Sequence, residues 1–201
     1  MEEMRHRIAN SLQIIASVVR IKTHLAQSAD ARSNLEDVHQ RVLSIAELQD
    51  QLDTTDDPKA GSVSQYLSAV CLRLASSLID PTTGIELQVQ AEDLSVRPEI
   101  CVSIGLVVTE LVTNALKHAF PVQAKGVIRV AFTLLGPGSQ LSVADNGVGC
   151  DPRSAAAAGG VGTRIVNTLA RRLGARVEVS SNQPHGLNVK LIHRPDDPLV
   201  A

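Results

Sequence analysis

A change of period along the chain decides what it can fold into. Up to Leu52 the apolar residues recur at three- and four-residue spacing: Ile8, Leu12, Ile15 and Val19, then Leu35, Val38, Val42 and Ile45. Each set paints a single stripe along a helix. The short polar segment AQSADARSN separates the two, with Ser33 or Asn34 as candidate N-cap, so the helices are expected to fold as an antiparallel hairpin. Two helices with one apolar face each bury too little. Pairing two hairpins as a four-helix bundle is the economical remedy and makes a homodimer the expectation; packing of the hairpin onto the rest of the chain is the alternative.

The polar run DTTDDPKAGS, with Pro58 and Gly61, ends the helical pattern and reads as a linker. It divides the chain into residues 1–56 and 62–195. Beyond it the period alternates. A helix is predicted over 63–78, a strand at IELQVQ, and a long helix over 97–118. Strands GVIRVAFTLL and QLSVAD follow, then a glycine-rich loop, a helix VGTRIVNTLARRLG, and closing strands ARVEVSS and GLNVKLIH. Tight GPGS-type turns and strands grouped late in the chain point to an antiparallel or mixed sheet with helices on one face. The expected class is therefore α+β: a helical hairpin followed by an α/β sandwich, not a doubly wound parallel sheet.

Composition removes several functions. With aromatics at 1% of 201 residues, base-stacking surfaces for single-stranded nucleic acid are largely unavailable. A net charge of −2 offers no broad attraction for DNA or anionic lipid, so any bound anion must be held locally. Cys71, Cys101 and Cys150 are odd in number, widely spaced and without CxxC pairing, which fits a reducing, cytoplasmic setting without a structural zinc site. The apolar run from Ile14 to Ile21 is short and broken by Ser17 and Arg20, and no signal peptide or membrane-spanning length is expected.

Three segments carry chemistry. In TELVTNALKHAF, Glu110 and Asn114 are four apart and share a helix face, with Lys117 and His118 a turn further on and Leu111, Val112 and Leu116 expected to cover the opposite, buried side. An Asn amide oxygen can ligate magnesium, Glu can orient or deprotonate an attacking group, and Lys can neutralise phosphate, as phosphoryl transfer requires. In ADNGVGCD, Asp145 ends a strand while Gly147 and Gly149 permit close backbone approach; a buried carboxylate there can accept a hydrogen bond from an adenine amino group. Taken alone, DNG reads as a hairpin turn. In GGVGTRIVNTLARRLG, Gly159, Gly160 and Gly162 lie at a helix start, whose amides and dipole can hold phosphate. No Walker sequence is present, and no GxGxxG follows the first strand.

In this order the three motifs resemble the Bergerat-type ATP site of gyrase-like ATPases, mismatch-repair ATPases and histidine kinases, over roughly residues 62–194. The opening segment EMRHRIANSLQIIASVVRIK resembles the phosphoacceptor and dimerisation segment of sensor histidine kinases of the second HisKA type, relatives of the HWE kinases. The resemblance implies that His6 is the phosphorylated residue and that Glu110 orients or deprotonates it. It implies ATP binding at Asn114, Lys117, His118, Asp145, Gly147, Gly149, Gly160, Gly162 and Thr163, with Asn114 on Mg2+. The phosphate would pass to an aspartate of a response regulator, with reverse phosphatase activity also open. An imidazole nitrogen is a good nucleophile near neutral pH, and Arg5 and Arg7 can stabilise the added charge.

The chain departs from these patterns in several respects. Arg7 stands where more familiar histidine kinases have an acid after the acceptor, and Gly186-Leu187 stands where the family has Gly-Thr, so weaker ATP binding is expected. The segment CDPRSAAAA between the glycine motifs is short and has no aromatic clamp, and the chain has no Trp for the Trp-x-Glu element of HWE kinases. Two other functions stay open: a dimeric histidine phosphotransfer or scaffold protein with an inactive ATP domain, and a gyrase-like ATPase.

Overall fold

The computed structural model describes residues 61–121, 125–151 and 161–194. These belong to the second of two units into which the chain divides, Ala60–Ala201. The expected hairpin, its caps and His6 lie outside the described residues.

The elements run β1 (Gly61–Ser62), α1 (Val63–Leu78), β2 (Ile85–Ala91), β3 (Ser95–Val96), α2 (Pro98–His118), β4 (Gly126–Leu135), β5 (Gly138–Asp145), α3 (Val161–Arg172), β6 (Ala175–Ser181) and β7 (Leu187–His193). In α1 the buried residues are Val63, Tyr66, Leu67, Val70, Cys71 and Leu74, a single stripe at three- and four-residue spacing. Ser62 caps this helix by accepting a hydrogen bond from the Gln65 amide at 3.2 Å. Pro98 opens α2, Glu99 sits in its first turn and Lys117 in its last, each charge matching the nearer pole of the helix dipole.

Five strands form one mixed sheet in the order β2-β4-β5-β7-β6; β2 and β4 are parallel and every other pair is antiparallel. Ile128, Val130 and Phe132 on β4, Leu141 and Val143 on β5, and Leu191 and Ile192 on β7 are the sheet's buried apolar side chains among the described residues. Contacts tie α1 to β2, α2 to β4 and β5, and α3 to β6, while α2 packs on both other helices. The result is the two-layer sandwich expected from the pattern of periods. The two-residue strands β1 and β3 pair antiparallel as a separate ribbon, which period reading does not reach.

By length and composition Glu99–His118 is apolar enough to cross a membrane, contrary to the reading that nothing approaches a spanning length. The sequence around Cys101 to Val112 is apolar because α2 is the central core helix: Cys101, Val107, Val108 and Val112 are all buried.

Candidate functional site

Exposure rises along the last turns of α2. Glu110, expected on the solvent-facing stripe, is buried at 4% exposure, Asn114 is half-buried, and Lys117 and His118 are exposed. The stripe therefore begins inside the core and emerges at the helix end. A buried carboxylate, an amide and two cationic or titratable side chains follow one another at successive turns.

Asp145, at the end of β5, is 7% exposed. Its Oδ1 accepts from the Gly147 amide at 3.0 Å and from the Leu187 amide at 3.3 Å. Among the described residues both of these hydrogen bonds fall on Oδ1, which leaves Oδ2 as a further acceptor. Its backbone carbonyl accepts from Asn182 Nδ2 at 2.7 Å. The next residue is fixed as well. Asn146 Oδ1 accepts from the Val127 amide at 2.7 Å, and the Asn146 amide donates to the Val127 carbonyl at 3.2 Å.

The loop is also bound to α2. The Val148 amide donates to the Ala119 carbonyl at 2.9 Å, one residue past the end of the helix. At Gly147 a Cβ would collide with that same carbonyl, so only glycine permits the approach. The segment after β5 and the helix bearing Glu110 and Asn114 are thus held together as one rigid corner. DNG makes no hairpin here, because β5 pairs with β7 and the chain first passes through α3.

Gly149 takes φ +69°, and Cys150 is exposed beside it. Gly159 and Gly160, with the rest of residues 152–160, lie outside the described residues. Gly162 and Thr163 are inside the first turn of α3, Gly162 buried and Thr163 half-buried, and not in a loop preceding the helix. Cys71 and Cys101 are buried, which pushes their thiols up to about 12 and about 11; they are inert packing residues.

The sequence places Asp145 at a strand end but does not reveal what holds it. Leu187 holds its carboxylate through a backbone amide, Asn182 holds its carbonyl, and Gly186, at φ +112°, lies so close that a Cβ would strike the Asp145 carbonyl. The one available signal was the Gly186-Leu187 departure, which marked the position without revealing the contact.

The donor set suits magnesium only in company. Among the described residues no three His, Cys, Asp or Glu side chains converge to hold a metal. The Asn114 amide oxygen is a hard ligand that fits an ion bringing phosphate and water oxygens as its remaining ligands, which is how Mg2+ is usually held. A cavity of about 280 Å³ lies at the opposite end of β4 and β5, lined by apolar groups including Leu94, Ile104, Phe132 and Leu191 and by none of the candidate residues.

Two family models match in succession: one described as histidine kinase over residues 3–78, and one described as histidine kinase-like ATPase domain over residues 81–193. Blue-light-activated histidine kinase 2 of Erythrobacter litoralis is 34% identical over 186 residues, covering 89% of this chain and 52% of that protein. Sensor histidine kinase PdtaS of Mycobacterium tuberculosis is 28% identical over 170 residues, covering 83% of this chain and 33% of that protein. The chain therefore spans about half or less of the length of these relatives. Among solved structures, the histidine kinase domain of an Erythrobacter litoralis blue-light-activated histidine kinase superposes with a TM-score of 0.71 at 25% identity, covering 100% of both chains. With both models matched in order, and the ATPase-domain model alone taking in residues 81–193 of 201, the chain belongs to the histidine kinase family.

Proposed function

We propose that this chain is an ATP-dependent kinase core that phosphorylates its own His6 and passes the phosphate to an aspartate of a response regulator. The observation that carries the reading is the state of Asp145. Its carboxylate is buried, two amides engage Oδ1, and Oδ2 is left to accept a hydrogen bond from an adenine amino group. The loop that continues from it is bonded to the end of the helix bearing Glu110 and Asn114. Base recognition and phosphate handling then occupy one rigid corner, which supports a preorganised nucleotide site.

In the proposed step, an imidazole nitrogen of His6 attacks the γ-phosphorus, an N–P bond forms, and the bond to the bridging oxygen of ADP breaks. The imidazole proton leaves to Glu110 or to solvent. Asn114 would hold Mg2+, which neutralises charge on the phosphate oxygens when bound. Lys117 and His118, with Gly147, Gly149, Gly160, Gly162 and Thr163, complete the nucleotide contacts in this reading. The hairpin of residues 1–56 forms the homodimer and presents His6 to both the ATP-binding domain, 62–195, and the regulator. Three free thiols suit a cytoplasmic setting.

The test is incubation with Mg2+ and γ-labelled ATP, followed by acid treatment. The expected result is acid-labile label on the wild type and none on His6→Gln, with nucleotide binding equal in both. Bound ATP without label on the wild type would sink the kinase reading. Steady phosphate release that survives His6→Gln would assign a gyrase-like ATPase instead.

A further inference from the structure

Asp145 is the last residue of β5, and its backbone carbonyl has no strand partner to rely on. On the β4 side the ladder bonds at this end are carried by Asn146 and Val127, so the peptide groups of Asp145 point the other way, toward β7. There the pairing of β5 with β7 stops at Ala144 and Asn188. A buried carbonyl left without a donor is costly. Asn182, in the turn between β6 and β7, supplies the donor from 37 residues away, with Nδ2 2.7 Å from the Asp145 oxygen.

The turn is shaped for this contact. Asn182 Oδ1 accepts from the Gln183 amide at 3.1 Å, which orients the side-chain amide, and the Asn182 amide donates to the Gly186 carbonyl at 3.0 Å, which closes the turn. Gly186 takes φ +112° and lies against the same Asp145 carbonyl, leaving no room for a side chain. The next amide, from Leu187, donates to Asp145 Oδ1. One short turn thus grips Asp145 at both its backbone and its carboxylate.

We propose that Asn182 is a positioning residue for base recognition: its amide fixes the Asp145 peptide so that Oδ1 meets both amides and Oδ2 faces the exocyclic amino group of the base. The inference rests on the base-reading role of Asp145 proposed above. It also gives Leu187 a part that needs no hydroxyl, since it is its backbone N–H that, with that of Gly147, holds the carboxylate.

Asn182→Asp tests this in the whole chain. The carboxylate still accepts from the Gln183 amide but offers the Asp145 carbonyl an acceptor where Nδ2 donated. Binding is measured for ATP and for purine riboside triphosphate, which has the same shape without the amino group. Wild type should bind ATP more tightly than the analogue. The variant should lose about tenfold in ATP binding, the scale of one hydrogen bond to a charged group, with binding of the analogue unchanged. Asn182→Ala should show the same split, and unchanged analogue binding certifies in each case that the fold is intact. Equal losses for both nucleotides, or no loss for either, would overturn the role of Asn182. Equal binding of the two nucleotides by wild type would overturn base reading by Asp145, and this inference with it.

Discussion

At the scale of single residues, the chemistry of Asp145 depends on which of its oxygens is occupied. Oδ1 receives the amides of Gly147 and Leu187, and an asparagine at this position can still accept both bonds through its own oxygen. Its second atom then becomes an NH2, which at the proposed site would meet the amino group of the base with a donor. Asp145→Asn is therefore expected to keep the fold while weakening ATP binding about 10- to 100-fold, because two donors are buried against each other. Isothermal titration with ATP, alongside a urea melt that stays within error of wild type, checks both halves. The place of the carboxylate at a strand end was legible in the sequence, although DNG alone reads as a hairpin turn and only the order of the three motifs singles it out. Its supports were not: Leu187 acts through its backbone, and Asn182 lies 37 residues away in a turn that reads simply as polar. Glu110 was legible in identity and not in environment. Helical spacing placed it on the stripe with Asn114, and only the packing of α2 into the unit reveals that this part of the stripe is buried.

At the scale of elements, the period of two or 3.6 located α1, α2, α3 and the five strands of the main sheet, because each is long enough to repeat its pattern. The ribbon of β1 and β3 has two residues on each side and carries no period. It holds the chain's entry into the unit. Val63 donates to the Leu94 carbonyl at 3.0 Å, and the hydroxyls of Ser62 and Ser64 both donate to Asp93 Oδ1. The hydroxyl of Ser62, and then that of Ser64, holds the Asp93 carboxyl below its usual range. A carboxylate with a depressed folded pKa stabilises the fold above its unfolded value of about 3.9, and that contribution is lost as pH falls through the lower folded value. Asp93→Ala should thus be less stable than wild type at pH 7, with the gap narrowing below about pH 4 as the wild-type carboxylate protonates. Urea midpoints across that range are the measurement; a gap independent of pH would assign the loss to something other than the charge.

At the scale of the whole molecule, the family match and the packing place α1 differently. The model described as histidine kinase runs to residue 78 and so takes in α1, whereas the structure packs α1 against β2 and α2 within the unit that begins at Ala60. The buried stripe Val63, Leu67, Val70 and Leu74 fills one side of that core, and Leu67 is fully enclosed. Removing it would expose the apolar surface of β2 and α2, and each large buried side chain lost costs about 2–5 kcal/mol, against a total stability of only about 5–15 kcal/mol for a domain. The unit should therefore stand or fall with α1. A fragment of residues 60–201 is expected to unfold in one cooperative urea transition, to bind ATP as the whole chain does, and to take up no acid-labile phosphate, since it carries no His6. A fragment of residues 79–201, cut at the end of the first family match, should show no cooperative transition and no nucleotide binding. If the shorter fragment folded and bound ATP, α1 would belong functionally with the helices that precede it, and the boundary between the two parts would move from the linker to the loop before β2.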